Sequence, residues 1–243
     1  MIALRVRSRA PELMDTERVD LATFEACLKD LEWINRCTGA YRVTLRWLER
    51  LRKTHGVRRL CLVDIGSGYG DMLRRIAAWA EARGVAVDLT GVDLNPHATA
   101  LAAQAARSGP AARTNDSIRY ITADVFELSP ALRPDAVISS LFAHHLDDRQ
   151  LVRFLRWMEA SARLGWLIND LHRHPIAYGI ARWAPRLLHM NRLVRHDAPV
   201  SVARSCVRRD WEGLLAEAGL AGAPTAVSRR FPFRYAVGRI KTP

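Results

Sequence analysis

A chain of 243 residues, 49% of them hydrophobic, can bury one large core, so one domain plus a small cap is the natural count. No apolar run approaches the roughly 18 residues that read as a membrane span, and the opening MIALRVRSRAPELMDTERVD lacks the apolar stretch of a secretory signal. The net charge of +12 is almost wholly arginine, with lysine only at positions 29, 53 and 241 and no dense basic run, so a solvated basic surface is expected rather than a nucleic-acid partner.

Residues 1–15 read as extended or loose. From Leu21 to Leu51 the pattern is helical in two stretches. Leu21, Phe24, Leu28 and Leu31 form one stripe, Val43, Trp47, Leu48 and Leu51 another, and Asn35–Gly39 supplies the break. Leu60–Ile65 is a short apolar run that empties into Gly66-Ser67-Gly68-Tyr69-Gly70, as a buried parallel strand does ahead of a glycine-rich turn. A helix follows from Asp71 to about Arg83, with Met72, Leu73, Ile76, Ala77 and Ala80 on its apolar face. Glycine suits such a turn because side chains would keep a ligand off the backbone and because the turn can require positive φ. The helix start behind it presents unpaired N–H groups.

Spacing narrows the ligand. A nicotinamide fingerprint is G-x-G-x-x-G, whereas this turn is G-x-G-x-G with Asp64 two places before the first glycine. An acid there favours a cationic amino group and repels a pyrophosphate. Strand two, Asp88–Asp93, ends in an acid 23 positions after Gly70, placed to accept ribose hydroxyls, and Leu94 follows it. Pro96–Arg107 is the next helix, with Asn95 as N-cap, and Gly109–Asn115 is a turn-rich loop. Strand three, Ile118–Asp124, places Asp124 where it could accept from an adenine amino group, beside Val125. Strand four, Ala136–Ser140, leads into LFAHHLDD, in which Asp147 and Asp148 cap a helix over Arg149–Ala162. Gly165–Asp170 is strand five. The alternation means a parallel sheet with helices on both faces and ligands at its carboxyl edge.

The insert from Leu171 to about Ser201 mixes Ile176, Tyr178, Ile180, Trp183, Leu187, Leu188 and Met190 with arginines and histidines. Three readings fit it: a cap for a flat or lipid-like acceptor, two helices that bury the apolar stripe on the core, or a basic amphipathic surface in peripheral contact with a membrane. Val202–Ala218 reads as one helix stopped by Gly219. Strands near Pro224–Arg230 and Phe233–Ile240 finish the chain. Cys27, Cys37, Cys61 and Cys206 form no C-x-x-C pair, so neither a zinc site nor a disulfide framework is indicated and a reducing cytoplasm is expected.

The acid–spacer–G-x-G-x-G motif at Asp64–Gly70, with acids closing strands two and three, resembles the class I S-adenosylmethionine-dependent methyltransferases over about residues 58–170. The resemblance implies a Rossmann-like, seven-stranded, doubly wound α/β sheet with N-terminal helices and a helical cap insert after strand five. It divides the chain into a lid segment, 1–56, and a cofactor-binding domain, 57–243, with the cap at 171–201. It implies S-adenosylmethionine as cofactor and S-adenosylhomocysteine as product, held by Asp64, Gly66, Ser67, Gly68, Gly70, Asp93, Leu94, Asp124, Val125 and Ser140, with Arg42 a further candidate for the cofactor carboxylate.

Methyl transfer to a hydroxyl requires alignment and removal of a proton. His144 and His145 after strand four, with Asp170 and His172 after strand five, are the candidate residues, because imidazole titrates near neutrality and an aspartate can orient it. His145 is preferred over His144. The same set resembles natural-product O-methyltransferases; alternatively the histidines only shape the site floor. His189 and His196 read as cap surface. The Asn/Asp-Pro-Pro-aromatic tetrapeptide of amino-directed enzymes is absent after strand four, and no acidic cluster marks a catechol-type magnesium site. The expected activity is metal-independent O-methylation of an aromatic or polyketide-like molecule of secondary metabolism, by a monomer or homodimer. Alternatives are RNA modification or nucleic-acid binding on the same fold, C-methylation of a quinone-type acceptor, and cofactor binding without turnover.

Overall fold

The computed structural model describes residues 4–108, 118–128 and 133–242. The turn-rich loop expected at 109–115 lies outside the described residues. Seven strands form one sheet: β1 (Arg59–Ile65), β2 (Ala86–Asp93), β3 (Ile118–Thr122), β4 (Ala136–Ser140), β5 (Gly165–Leu171), β6 (Ala226–Arg230) and β7 (Arg234–Ile240). Their order is β3-β2-β1-β4-β5-β7-β6. β1 to β5 run parallel, while β7 lies antiparallel to both β5 and β6. The strand order reverses between β1 and β4, and a crevice opens beyond the carboxyl ends of the strands at such a switch point.

The helices are α1 (Leu13–Thr16), α2 (Leu21–Cys37), α3 (Ala40–His55), α4 (Asp71–Glu81), α5 (Pro96–Ser108), α6 (Asp148–Ser161), α7 (Pro175–Leu187), α8 (Arg192–Arg204) and α9 (Arg208–Glu217). One sheet face is covered by α6 and α9, with Phe154, Leu155, Met158, Trp166, Trp211 and Tyr235 buried between them. The other is covered by α3 and α4 through Trp47, Leu48, Leu51, Leu73 and Ile76. The expected N-cap of α6 is present: Asp147 accepts from the Gln150 N–H at 2.8 Å and the Gln150 side chain answers at 2.9 Å. Such a capping box contributes about 1 kcal/mol.

The N-terminal segment is less loose than its composition suggests. Arg7 donates to the Arg204 and Leu146 carbonyls, and Ser8 N–H to Ala203. Asp197 on α8 accepts from the first two N–H groups of α1, Leu13 and Met14, at 2.7 and 3.0 Å. Helix α2 packs on α5 through Phe24 and Leu28 and on the start of α8 through Cys27.

Three expectations change. The helix read over Val202–Ala218 is two, because α8 runs through Pro199 to Arg204 and α9 restarts at Arg208. The apolar stripe of the insert is not simply buried on the core: Ile176, Ile180, Trp183, Leu187 and Leu188 are all exposed. Leu21 is also exposed. Among the described residues no helix is long and apolar enough to cross a membrane.

Candidate active site

The cavity at the switch point has a volume of about 1290 Å³, above the roughly 300–1,000 Å³ that one drug-sized ligand occupies. Its floor is the turn after β1. Gly66, Gly68 and Gly70 all have positive φ, 70°, 51° and 69°. A Cβ at Gly66 would lie 2.6 Å from the Phe142 ring and one at Gly70 2.2 Å from the Tyr120 hydroxyl, but one at Gly68 would meet nothing within 4 Å. Gly66 and Gly70 are therefore fixed by the protein's own packing, and Gly68 faces open cavity.

Asp64 lines this cavity 2% exposed, and its Oδ1 has no hydrogen-bond partner. Burial, then the charges of Asp71 and Asp93, push its carboxyl well above the usual range. A buried carboxylate without a donor is costly. Asp93 accepts from Gly68 N–H and Asn95 N–H, both at 2.9 Å, which locks it against the turn. Burial raises its carboxyl despite those two donors. Asp124 accepts from the Phe126 N–H at 2.8 Å and caps a 3₁₀ turn just past β3, which ends at Thr122. Ser67, Leu94, Val125 and Ser140 also line the cavity, Leu94 highly exposed and Ser140 with a buried hydroxyl lacking a partner. Gly70 stands behind the lining. Arg42 is exposed on α3 and does not line the cavity, so it is not placed to hold a ligand carboxylate.

The N-terminal helices α2 and α3 are tied to the turn by Asp71 at the start of α4, whose Oδ2 accepts from the Tyr41 hydroxyl at 2.6 Å and from Asn35 at 3.2 Å. Asn35 and Tyr41 sit at the break between α2 and α3, where the α2–α3 stripes turn back on themselves.

Across the switch point stand His144 and His145 in a 3₁₀ turn after β4. Asp170 pairs with His144: Oδ1 lies 2.7 Å from Nδ1 and Oδ2 accepts the His144 N–H at 2.9 Å. Burial would raise the Asp170 carboxyl, yet the His144 charge and these bonds hold it below the usual range. Asp170 lies behind His144, off the cavity. His145 pairs instead with Asp15, Nδ1 to Oδ2 2.8 Å. Burial lowers this imidazole, but the Asp15 hydrogen bond and the Glu12 charge raise it further, to about 9. Both Nε2 atoms stand 3.7 Å from the Glu12 carboxylate. Glu12 is 2% exposed and its Oε1 has no hydrogen-bond partner. The ligand atoms of Glu12, His144 and His145 lie within 4.8 Å of one another. With each Nδ1 anchored on a carboxylate, the arrangement suits either a shared proton or a divalent cation. Arg204 braces the turn, donating to the carbonyls of His144, His145 and Ala10.

His172 is not brought to this group. It packs edge-on against Tyr235, centroids 4.8 Å apart, and beside His174, off the cavity. Burial and the nearby His174 depress its imidazole to about 4. Glu12, Asp15, Asp71 and Arg234 were not foreseen as site residues. Glu12 and Asp15 share a short polar stretch with no local signal, and only the long-range docking of the N-terminal segment brings them in. His189 is exposed, and the partly exposed His196 bonds Asp197 at 2.8 Å.

Residues 62–165 match the model of a family described as a methyltransferase domain. No curated protein matches the sequence. Among solved structures, the chain is similar to the plantazolicin methyltransferase BpumL bound to SAH, at 14% identity and a TM-score of 0.65, covering 91% of this chain and 96% of that one. It is similar to the magnesium protoporphyrin IX methyltransferase of Synechocystis PCC 6803 bound to SAH, at 15% identity and a TM-score of 0.57, covering 85% and 84%. A SAM-dependent methyltransferase from Aquifex aeolicus is similar at 13% identity and a TM-score of 0.59, covering 91% and 98%.

Proposed function

We propose that the chain, whose residues 62–165 match a methyltransferase-domain model and whose strands run in the order β3-β2-β1-β4-β5-β7-β6, transfers the methyl group of S-adenosylmethionine to a hydroxyl on a hydrophobic small molecule, leaving S-adenosylhomocysteine. One observation carries the reading: Asp64, a buried carboxylate with an unpartnered oxygen, faces the cavity beside a glycine whose missing Cβ leaves room. A cationic amino group answers that orphaned oxygen. Asp93 keeps lone pairs for ribose hydroxyls after its two backbone bonds, and Leu94, Asp124 and Val125 would border the base. When bound, the cofactor supplies a carbon electrophile activated by positive sulfur.

The chain's own residues then align the acceptor and take its proton. His144 is the favoured base, because Asp170 holds its Nδ1–H and leaves Nε2 to accept. His145, raised to about 9, is mostly charged at neutral pH and serves better as a local cation than as a base. Leu31 and Ile34 from α2 with Ile180 and Ala184 from α7 and Leu188 just past its end supply apolar wall for the acceptor. A second reading, in which Glu12, His144 and His145 bind a divalent cation that polarises the hydroxyl, is favoured by their convergence and anchored Nδ1 atoms. Incubation with methyl-labelled cofactor and a panel of phenols, quinones and tRNA, each with and without EDTA, tests both. Label is expected on a phenol. Unchanged turnover in EDTA supports the base, loss restored by added metal supports the second reading, and label on tRNA or on no acceptor would overturn the first.

The glycines give a further check. Gly68→Ala is expected to cost only the left-handed backbone penalty of about 1–2 kcal/mol, yet to weaken S-adenosylhomocysteine binding because its methyl enters the cavity. Gly70→Ala, whose Cβ would collide with Tyr120, adds an overpacking cost of about 1–3 kcal/mol. Denaturant midpoints and calorimetric titration of both variants separate the effects. Equal stability losses would contradict the assignment.

A further inference from the structure

Arg234 opens β7 and lines the cavity, yet it is 3% exposed. Its Nη2 donates to the Thr38 hydroxyl at 3.2 Å, while Nε and Nη1 have no partner. The carboxylate that acts on it, Asp170, gives its oxygens to His144 and to the Leu171 N–H. Burial brings the guanidinium down to about 10, so it remains charged at neutral pH. A buried cation whose acting anion is hydrogen-bonded to another group is expensive and persists in a fold only where something else recovers the cost. The other arginine on the cavity, Arg18, is exposed.

The sheet decides which ligand this cation faces. Asp64 sits level with Ile138 on β4, Leu167 on β5 and Gly238 on β7. Arg234 sits level with Leu171, four residues further toward the carboxyl edge. Three strand spacings and four residues of rise separate the two Cα atoms by about 14 Å across and about 13 Å along the sheet. The amine and carboxylate of one amino acid share a carbon. A cofactor whose amine is held at Asp64 would have to stretch its carboxylate away from the glycine turn and across β4 and β5 to meet Arg234. The cation belongs to the β5–β7 end of the cavity, the end where the His144–Asp170 pair stands.

We propose that Arg234 anchors an anionic group of the acceptor, a carboxylate, so that the acceptor class is a hydroxylated organic acid. Guanidinium N–H groups in a planar fork match a carboxylate, and Thr38, at the break of the lid, orients the fork. The acceptor then lies with its acid at the β7 edge, its apolar body under α7 and its hydroxyl toward His144. The inference rests on the methyl-transfer reading for the identity of the neighbouring ligand.

The test uses full-length protein and calorimetric titration of para-coumarate and ricinoleate, each paired with its primary amide, with S-adenosylhomocysteine titrated in a separate arm. At least one acid is expected to bind about tenfold tighter than its amide, a difference of about 1.4 kcal/mol. Arg234→Gln should erase that preference while leaving S-adenosylhomocysteine affinity within about twofold. Arg234→Lys should retain part of it, and Thr38→Val should weaken it. Arg234→Met should melt no lower than wild type, since it removes a buried charge whose acting carboxylate, Asp170, stays bonded to His144. Equal binding of acid and amide, no binding of either acid, a preference that survives Arg234→Gln, or a melting loss in Arg234→Met would each overturn the anchor. A loss of S-adenosylhomocysteine binding in Arg234→Gln would assign the residue to the cofactor instead. Failure of wild type to bind S-adenosylhomocysteine, with the acid preference intact, would sink the methyl-transfer reading and leave the anion site standing.

Discussion

Replacing Asp64 with asparagine is expected to weaken S-adenosylhomocysteine binding roughly ten- to a hundredfold while raising the melting temperature of the ligand-free protein. The first half follows from a lost charge-assisted hydrogen bond, about 1.5–3 kcal/mol. The second follows from the environment: the carboxylate is buried, one oxygen has no donor, and Asp71 and Asp93 add like charge. Asparagine keeps the shape and removes the charge, whose burial without a donor is the costly part of this site. The pH dependence has a definite sign. A carboxyl raised in the folded state stabilises the fold below its ordinary value, and that stability is lost as pH rises through the raised value. The ligand-free wild type should therefore fall increasingly below Asp64→Asn in melting temperature as pH climbs from the ordinary carboxylate range toward neutrality. Saturating S-adenosylhomocysteine should reverse the order. Cofactor affinity within twofold of wild type, or a variant that melts lower at neutral pH, would remove Asp64 from the cofactor site.

The cavity floor around the glycine turn is legible in the sequence because its signals are local. An apolar run, an acid, three glycines and a second acid at the tip of the next strand occupy one βαβ unit, and the sheet places Asp64, Gly68 and Asp93 along one cavity as that spacing requires. The opposite side of the cavity depends on contacts far apart in sequence. Arg234 reaches Thr38 across 196 positions and Asp15 reaches His145 across 130, and no periodicity records such pairings. The sequence does not show which of His144 and His145 meets Asp170 for the same reason, since an irregular turn after β4 has no alternation from which to read it; the structure pairs Asp170 with His144 and Asp15 with His145. His172 was misplaced by counting outward from β5. It continues past the strand, but its ring turns to Tyr235 on the far side of the sheet edge. Arg42 lies exposed on α3, and the polar groups at the break between α2 and α3 that reach inward are Asn35, Thr38 and Tyr41. The α8 boundary was missed because Pro199 sits inside a helix, where proline ordinarily ends one.

His144→Ala and Asp170→Asn are both expected to lower kcat by about 10²–10⁴-fold, the range of a positioned general base, with S-adenosylhomocysteine affinity nearly unchanged. The asparagine variant is the more informative. Its remaining oxygen can still accept one donor, so the turn after β4 keeps an anchor, but an amide no longer holds Nδ1–H with a negative charge or supports the protonated ring. If His144 only braced the turn, kcat would hardly change and the loss would appear as a lower melting temperature. His145→Ala separates the two rings: its partner Asp15 lies on the N-terminal segment, and the charge it loses stands beside Glu12. A smaller loss in His145→Ala than in His144→Ala places the proton on the ring that Asp170 holds. The reverse order moves it to the ring held by Asp15, and wild-type rates in both His144→Ala and Asp170→Asn leave the acceptor deprotonated by something other than this pair.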